Sequence, residues 1–254
     1  MRILAALIVL LSAALPGRAA DTQTEMGGTV RLVVGPAQPG QTEVQGALVV
    51  SLRPGFKTYW KRPGDSGVPT RVTFDGSENL EHAELLFPTP VLHVSPGDRT
   101  ASYEGDVVFP IRARRIDPSA PLALRASGML GMCAEICIPV AIALETKTGP
   151  GVEPATARLL FAGLNQLPRE AHTGVRLAHV ERDGEGRVVA LVVNGPNVRP
   201  RPVLFVASDT QPDLVPYATT SDDGPYRFAF AEPVRGPAEV IVSFGGTGAR
   251  FHVE

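Results

Sequence analysis

Leu122-Ala-Leu-Arg-Ala126, then Met129-Leu-Gly-Met-Cys-Ala-Glu-Ile-Cys-Ile-Pro139, then Val140-Ala-Ile-Ala-Leu144 is the stretch on which the reading of the fold turns. Leu122, Leu124 and Ala126 alternate with Ala123 and Arg125. After the cysteines, Val140, Ile142 and Leu144 alternate again. A period of two on both flanks predicts one strand entering and one leaving. Cys133 and Cys137, the only two cysteines in 254 residues, lie between them, at a hairpin end or a bulge. Irregular backbone of that kind often presents reactive groups.

The spacing constrains the pair. A disulfide needs its Cα atoms within about 7 Å, whereas residues four apart in a straight strand are roughly 13 Å apart. Bonded cysteines here require the chain to turn, bulge or coil. Pro139 lacks an N–H, so a regular ladder is not expected to run unbroken past it. A closed loop this short contributes only about 2 kcal/mol by chain entropy, and a domain of this size can bury a core without a staple. Spacing alone leaves three readings open: a redox pair that opens and closes, a structural disulfide or two buried thiols, and a metal site. For the last, Met129, Met132, Cys133 and Cys137 together offer the soft sulfur set that Cu(I) prefers. The two methionines serve equally as flexible packing.

Outward from this stretch, 26 glycines and 24 prolines punctuate short apolar runs, the signature of an all-β protein. Strands are expected at 29–34, at 42–52 with Val44, Leu48, Val50 and Leu52 on one side, at 56–60, 71–74, 85–90 and 103–116. Residues 61–69 read as a loop dense in turn formers. Tyr59 and Trp60 fit either a core or a lid over the cysteines, since aromatic rings shield large areas with few rotors. Residues 149–154 read as a linker. Pro154 suits a first helical turn, and Leu159, Leu160, Gly163, Leu164 and Leu167 share a broad face, predicting a helix over 154–167. A second β region follows, with strands at 187–193 and 203–207, an aromatic face of Tyr226, Phe228 and Phe230, and a face of Val240, Val242 and Phe244. Five or six strands there fit a small sandwich.

The first twenty residues read as a secretory leader: Arg2, an apolar run from Ile3 to Leu15, then Pro16, Gly17, Ala19 and Ala20 before Asp21. Its removal takes away Arg2 and Arg18 and leaves 22 basic against 26 acidic residues. That balance argues against a nucleic-acid partner. An exported chain meets an oxidising compartment, which permits disulfides. The five histidines (His82, His93, His172, His179 and His252) show no zinc spacing. Gly245-Gly-Thr-Gly248 is a turn and not a phosphate loop, because no Lys-Ser/Thr follows it.

Three motifs then combine. Gly55-Phe-Lys-Thr-Tyr-Trp-Lys-Arg-Pro-Gly-Asp-Ser-Gly-Val-Pro69, Tyr103-Glu-Gly-Asp-Val-Val-Phe-Pro110 and Cys133-Ala-Glu-Ile-Cys-Ile-Pro139 resemble the periplasmic N-terminal domain of the DsbD/ScsB group of thiol–disulfide reductases. The resemblance covers roughly residues 30–147, and more weakly the second β region through the ScsB-like branch. It implies an immunoglobulin-like sandwich over 21–148, followed by a linker and helix at 149–168 and a second, smaller β-sandwich at 169–254. It implies that Cys133 and Cys137 cycle between dithiol and disulfide, with Cys137 forming the mixed disulfide. It also implies a cap loop with an aromatic residue; the nearest match, 56–69, supplies Tyr59, Trp60 and Asp65 as shielding candidates. Implied partners are thioredoxin-like periplasmic proteins and a membrane electron-transfer protein; no cofactor is needed. The chain departs from DsbD in having three residues between its cysteines, as in the ScsB-like branch, and in lacking the membrane and thioredoxin-like domains. The expectation is a free-standing shuttle, a component of a split system, or a binding module. The alternative reading is a non-enzymatic copper-handling or protein-interaction module with a structural disulfide.

Overall fold

The computed structural model describes residues 20–149, 151, 153–170, 174–212, 214–219 and 221–254. The expected leader, except Ala20, and His172 lie outside the described residues. Eleven strands precede the helix: β1 (Thr22–Glu25), β2 (Gly28–Val34), β3 (Glu43–Leu52), β4 (Lys57–Gly64), β5 (Arg71–Thr73), β6 (Leu80–Leu85), β7 (Val91–Ser95), β8 (Asp98–Glu104), β9 (Asp106–Arg115), β10 (Ala123–Cys133) and β11 (Cys137–Lys147). After α1 (Pro154–Asn165) come β12 (Arg169–Glu170), β13 (Arg176–Arg182), β14 (Val188–Asn194), β15 (Val203–Ser208), β16 (Tyr217–Ala218), β17 (Tyr226–Val234), β18 (Ala238–Phe244) and β19 (Thr247–Val253).

The first eleven strands form two sheets. One runs β1-β2-β3-β9-β6 and the other β11-β10-β4-β8-β7, with β5 also pairing β10. The second region forms sheets β12-β19-β18-β15-β16 and β13-β14-β17. Every pairing is antiparallel except β12 with β19. The protein is therefore all-β, an immunoglobulin-like sandwich followed by a smaller one.

Alternation builds the first core. Val44, Leu48, Val50 and Leu52 of β3 face Phe109 and Ile111 of β9 and Leu124, Leu130 and Ile142 of the opposite sheet. The intervening Ala47 and Val49 are buried too, because α1 covers the outer face of that sheet. Leu160 packs there with Val33, Ala47, Val49 and Val108. The helix starts at Pro154 as expected, but its apolar face is narrower: Leu160 and Gly163 are buried, while Phe161 and Leu164 are exposed.

Several elements differ from the sequence reading. The strand expected at 103–116 is two, β8 and β9, divided at Gly105 with φ 66°, and residues 61–64 of the expected loop extend β4. The strand expected at 85–90 lies at Leu80–Leu85; Pro88 and Pro90 remove two N–H donors from the later segment, which runs as connection. Strand β13 has no clean alternation to reveal it, because bulges interrupt its pairing between Leu177 and His179 and between Glu181 and Arg182. The ladder also runs unbroken through Pro139, which pairs with Gly131. Strand β11 is an edge, where a missing N–H is tolerated.

The second core gathers Leu191, Val193, Leu204, Val206, Tyr226, Phe228, Val240 and Val242. Strand β15 is buried on both faces. Leu204 and Val206 enter this core, while Phe205, with Ile241 of β18, joins the first. The Phe205 ring meets Trp60 edge-on at 6.1 Å. The two sandwiches thus share apolar surface.

Candidate functional site

The β10–β11 hairpin places the cysteines. Its register runs from Ala123 opposite Lys147 to Cys133 opposite Cys137, with Ala134-Glu135-Ile136 as the tip. The Ala134 N–H donates to the Ile136 carbonyl at 3.1 Å, closing the turn. A cross-strand pair brings Cα atoms together where a straight strand would hold them apart. Here they are 4.0 Å apart, and the sulfurs are joined as a disulfide.

The two cysteines differ in exposure. Cys133 is 1% exposed, whereas Cys137 is exposed. Cys133 has strands on both sides, Cys137 across the hairpin and Lys57 of β4. Cys137 lies on the edge strand, beside a tip whose Ile136 is 76% exposed.

Tyr59 stands beside the pair. Tyr59, two residues beyond Lys57, shares the face of Cys133. It is 2% exposed, and its hydroxyl lies 3.9 Å from Cys137 Sγ. A disulfide sulfur carries no hydrogen, so the phenol is the donor. Burial first, and Asp98 second, hold this phenol above its ordinary ionisation range, so it keeps its proton at neutral pH. The Lys57 ammonium sits 5.8 Å from the ring centroid.

Residues 67–70 pass over the tyrosine. Gly67 has φ +104° and lies flat on the Tyr59 ring, where any Cβ would overlap it. Val68 packs onto Gly131 of β10. The Thr70 hydroxyl donates to the Tyr59 carbonyl at 2.6 Å, and this bond is buried.

The other expected residues are placed elsewhere. Trp60 alternates to the face opposite Tyr59, enters the core and meets Phe205, so it does not shield the cysteines. Asp65 is engaged with Arg99: its Oδ2 accepts the Arg99 N–H at 2.8 Å and lies 3.6 Å from Nε. Met129 is partly exposed on the face of Cys133, but Met132 is fully buried in the core behind it. The four sulfurs proposed for copper are thus not gathered on one side of the sheet. Among the described residues no cluster of three or more His, Cys, Asp or Glu could hold a metal ion. Gly67 and Val68 escaped the sequence reading. The turn-rich run marked a loop, and only the chain path shows it crossing Tyr59.

Residues 32–148 match the family model described as "Thiol:disulfide interchange protein DsbD, N-terminal". The first sandwich is thus similar to the DsbD N-terminal segment. The match ends one residue after β11, so α1 and the second sandwich lie outside the DsbD N-terminal segment. Both sandwiches are covered by a structural likeness to the N-terminal periplasmic domain of ScsB from Proteus mirabilis, with TM-score 0.69, 18% identity, and 90% of this chain against 93% of that one. At that identity the likeness concerns the fold. No curated protein gives a significant sequence match. No described helix is long and apolar enough to cross a membrane.

Proposed function

We propose that this protein is a periplasmic thiol–disulfide exchange module in which Cys133 and Cys137 pass two electrons between thioredoxin-like partners. One observation carries the reading: in a sandwich similar to the DsbD N-terminal segment, one cysteine of the pair is buried and the other is exposed at an edge hairpin. Exchange follows access. A partner thiolate attacks Cys137 Sγ; the Cys133–Cys137 bond breaks, and Cys133 leaves as a thiolate that takes up a proton. The partner is then joined to Cys137. The partner's second thiolate attacks its own bonded sulfur, releasing Cys137 as a thiolate. The partner ends as a disulfide and this chain as a dithiol, with two electrons transferred and no cofactor. The same steps run backwards when the reduced pair serves an oxidised partner.

Tyr59 and residues 66–70 act as the cap. They restrict approach to the exposed cysteine, and the phenol donates to Cys137 in either redox state. Export through the leader at residues 1–20 and the periplasmic origin of the ScsB relative support the compartment. A membrane electron-transfer protein is the candidate source of electrons. Residues 21–148 form the redox domain, 149–168 the connection and 169–254 the second domain.

The test is trapping. Cys133→Ala leaves Cys137 without its resolving thiol; mixed with an oxidised thioredoxin-fold protein, it should accumulate reducible high-mass species on a non-reducing gel. Cys137→Ala should trap far less. Trapping through Cys133 alone reverses the assigned order, and trapping by neither variant rejects the exchange reading.

A further inference from the structure

Strand β4 leaves β10 after Lys57 and continues along β8. Tyr59 pairs with Ser102 and Gly64 with Thr100, so residues 60–63 bulge outward against the single residue Ala101. Each bulged position up to Arg62 reaches the second sandwich. Trp60 meets Phe205 edge-on. Lys61 forms an ion pair with Glu239, whose other oxygen lies 3.1 Å from Arg250 Nε. Arg62 donates to Asp209 at 2.9 Å.

The loop begins immediately beyond. Gly64 has φ +103°, and a Cβ there would lie 2.5 Å from the Arg99 carbonyl and 2.9 Å from Pro216 Cδ. The Asp65 N–H donates to the Arg99 carbonyl at 3.1 Å. Residues 67–70 then lie on Tyr59 and Gly131 as described above. A continuous segment, 60–70, therefore has one end on the second sandwich and the other on Tyr59, whose hydroxyl lies 3.9 Å from Cys137 Sγ.

We infer that the second sandwich seats the cap: Phe205, Glu239, Asp209 and Pro216 hold residues 60–65 and thereby set how far residues 66–70 and Tyr59 cover the Cys133–Cys137 pair. This rests on reading those residues as the cap. It gives the second sandwich a role in the chemistry without any reacting group of its own, and makes Pro216 and Glu239 positioning residues. The physical basis is leverage on a local opening. A loop opens with a free energy of its own, below that of global unfolding, and contacts at its root raise that cost.

The experiment measures how fast excess water-soluble phosphine reduces the oxidised full chain, with thiols counted by alkylation and mass. The phosphine becomes its oxide as the S–S bond gives two thiols, so no protein partner is involved. Pro216→Gly and Glu239→Gln should each speed reduction about tenfold by enlarging the open population, with the melting midpoint nearly unchanged. Should Pro216→Gly not fold, Glu239→Gln carries the test. Gly67→Ala, which disturbs the cap directly at Tyr59, should speed reduction at least as much. Val193→Ala, deep in the second core on the far sheet, should lower the midpoint without changing the rate. Unchanged rates in Pro216→Gly and Glu239→Gln beside a faster Gly67→Ala overturn the seat while leaving the cap. Unchanged rates in all three overturn the seat and the cap together. Equal acceleration in Val193→Ala overturns the seat as well, since the effect is then general loosening. Exchange itself stands or falls separately, on the trapping of partners.

Discussion

Two hairpins of this protein are built alike and end differently. Strands β10 and β11 close on Cys133 opposite Cys137, with Ala134, Glu135 and Ile136 exposed at the tip. Strands β18 and β19 close on Phe244 opposite Thr247, through Gly245 and Gly246 at φ 62° and 91°. The second turn follows from backbone conformation, since glycine takes positive φ at little cost. Its tip lines the cleft between the sandwiches, with Thr89 and Tyr103 across from it. The first tip points outward on an edge strand. Both tips are exposed, but only the first carries the sulfur pair and lies on an edge strand. The same ladder serves both ends, so the chemistry lies in the tip residues and in what covers them.

The largest effect that would sharpen this contrast comes from the contact joining the two regions. Trp60→Ala should cost about 3–5 kcal/mol, as truncation of a buried aromatic does. Because its ring lies on Phe205, denaturant unfolding followed by circular dichroism should split into two transitions. A single unshifted transition would show that the sandwiches do not lean on this ring.

Removing the disulfide should cost less. The Cys133→Ala/Cys137→Ala double variant should remain folded and lose about 2 kcal/mol, the chain-entropy share of so short a loop. Failure of that variant to fold would turn the pair into a structural staple and remove the contrast between a hairpin end with chemistry and one that is only a turn.

A smaller effect belongs to Tyr59. Tyr59→Phe keeps the shield and deletes the donor, which is worth about 1 kcal/mol. In the reduced protein the Cys137 thiolate loses that hydrogen bond, so its alkylation at neutral pH should slow about fivefold, by the same energy. Faster alkylation would mean that the hydroxyl only obstructs.

The last effect is read at alkaline pH. Burial raises the phenols of Tyr59, Tyr103 and Tyr217 above their ordinary value near 10, Tyr103 the most. A raised acid binds its proton more tightly in the folded state, so this stability is complete below pH 10 and is lost as pH rises above it. Tyr103→Phe, which gives up a 2.8 Å bond to the Pro88 carbonyl, should flatten the alkaline fall in unfolding free energy. An unchanged slope would place the loss elsewhere.

Much of this was legible in the chain. Period-two alternation at 42–52, 122–126 and 140–144 gave strands on the right faces, because alternation needs only the strand's own geometry and one buried side. Cys133 and Cys137 as candidates and the helix start at Pro154 were readable from residue type and spacing, and the likeness of the first sandwich from the resemblance of three motifs. The strand at Arg176–Arg182 was not, because its bulges erase the period, and Ala47 and Val49 gave no sign of the helix that buries them. Neighbours four residues apart in sequence could be named as a pair. Which cysteine is buried, that Tyr59 and not Trp60 faces it, that Gly67 lies on the ring, and that Pro216 meets Gly64 are contacts between segments far apart in the chain. Side-chain type and local period carry no information about such distances; only the packing of the two sheets and two sandwiches decides them.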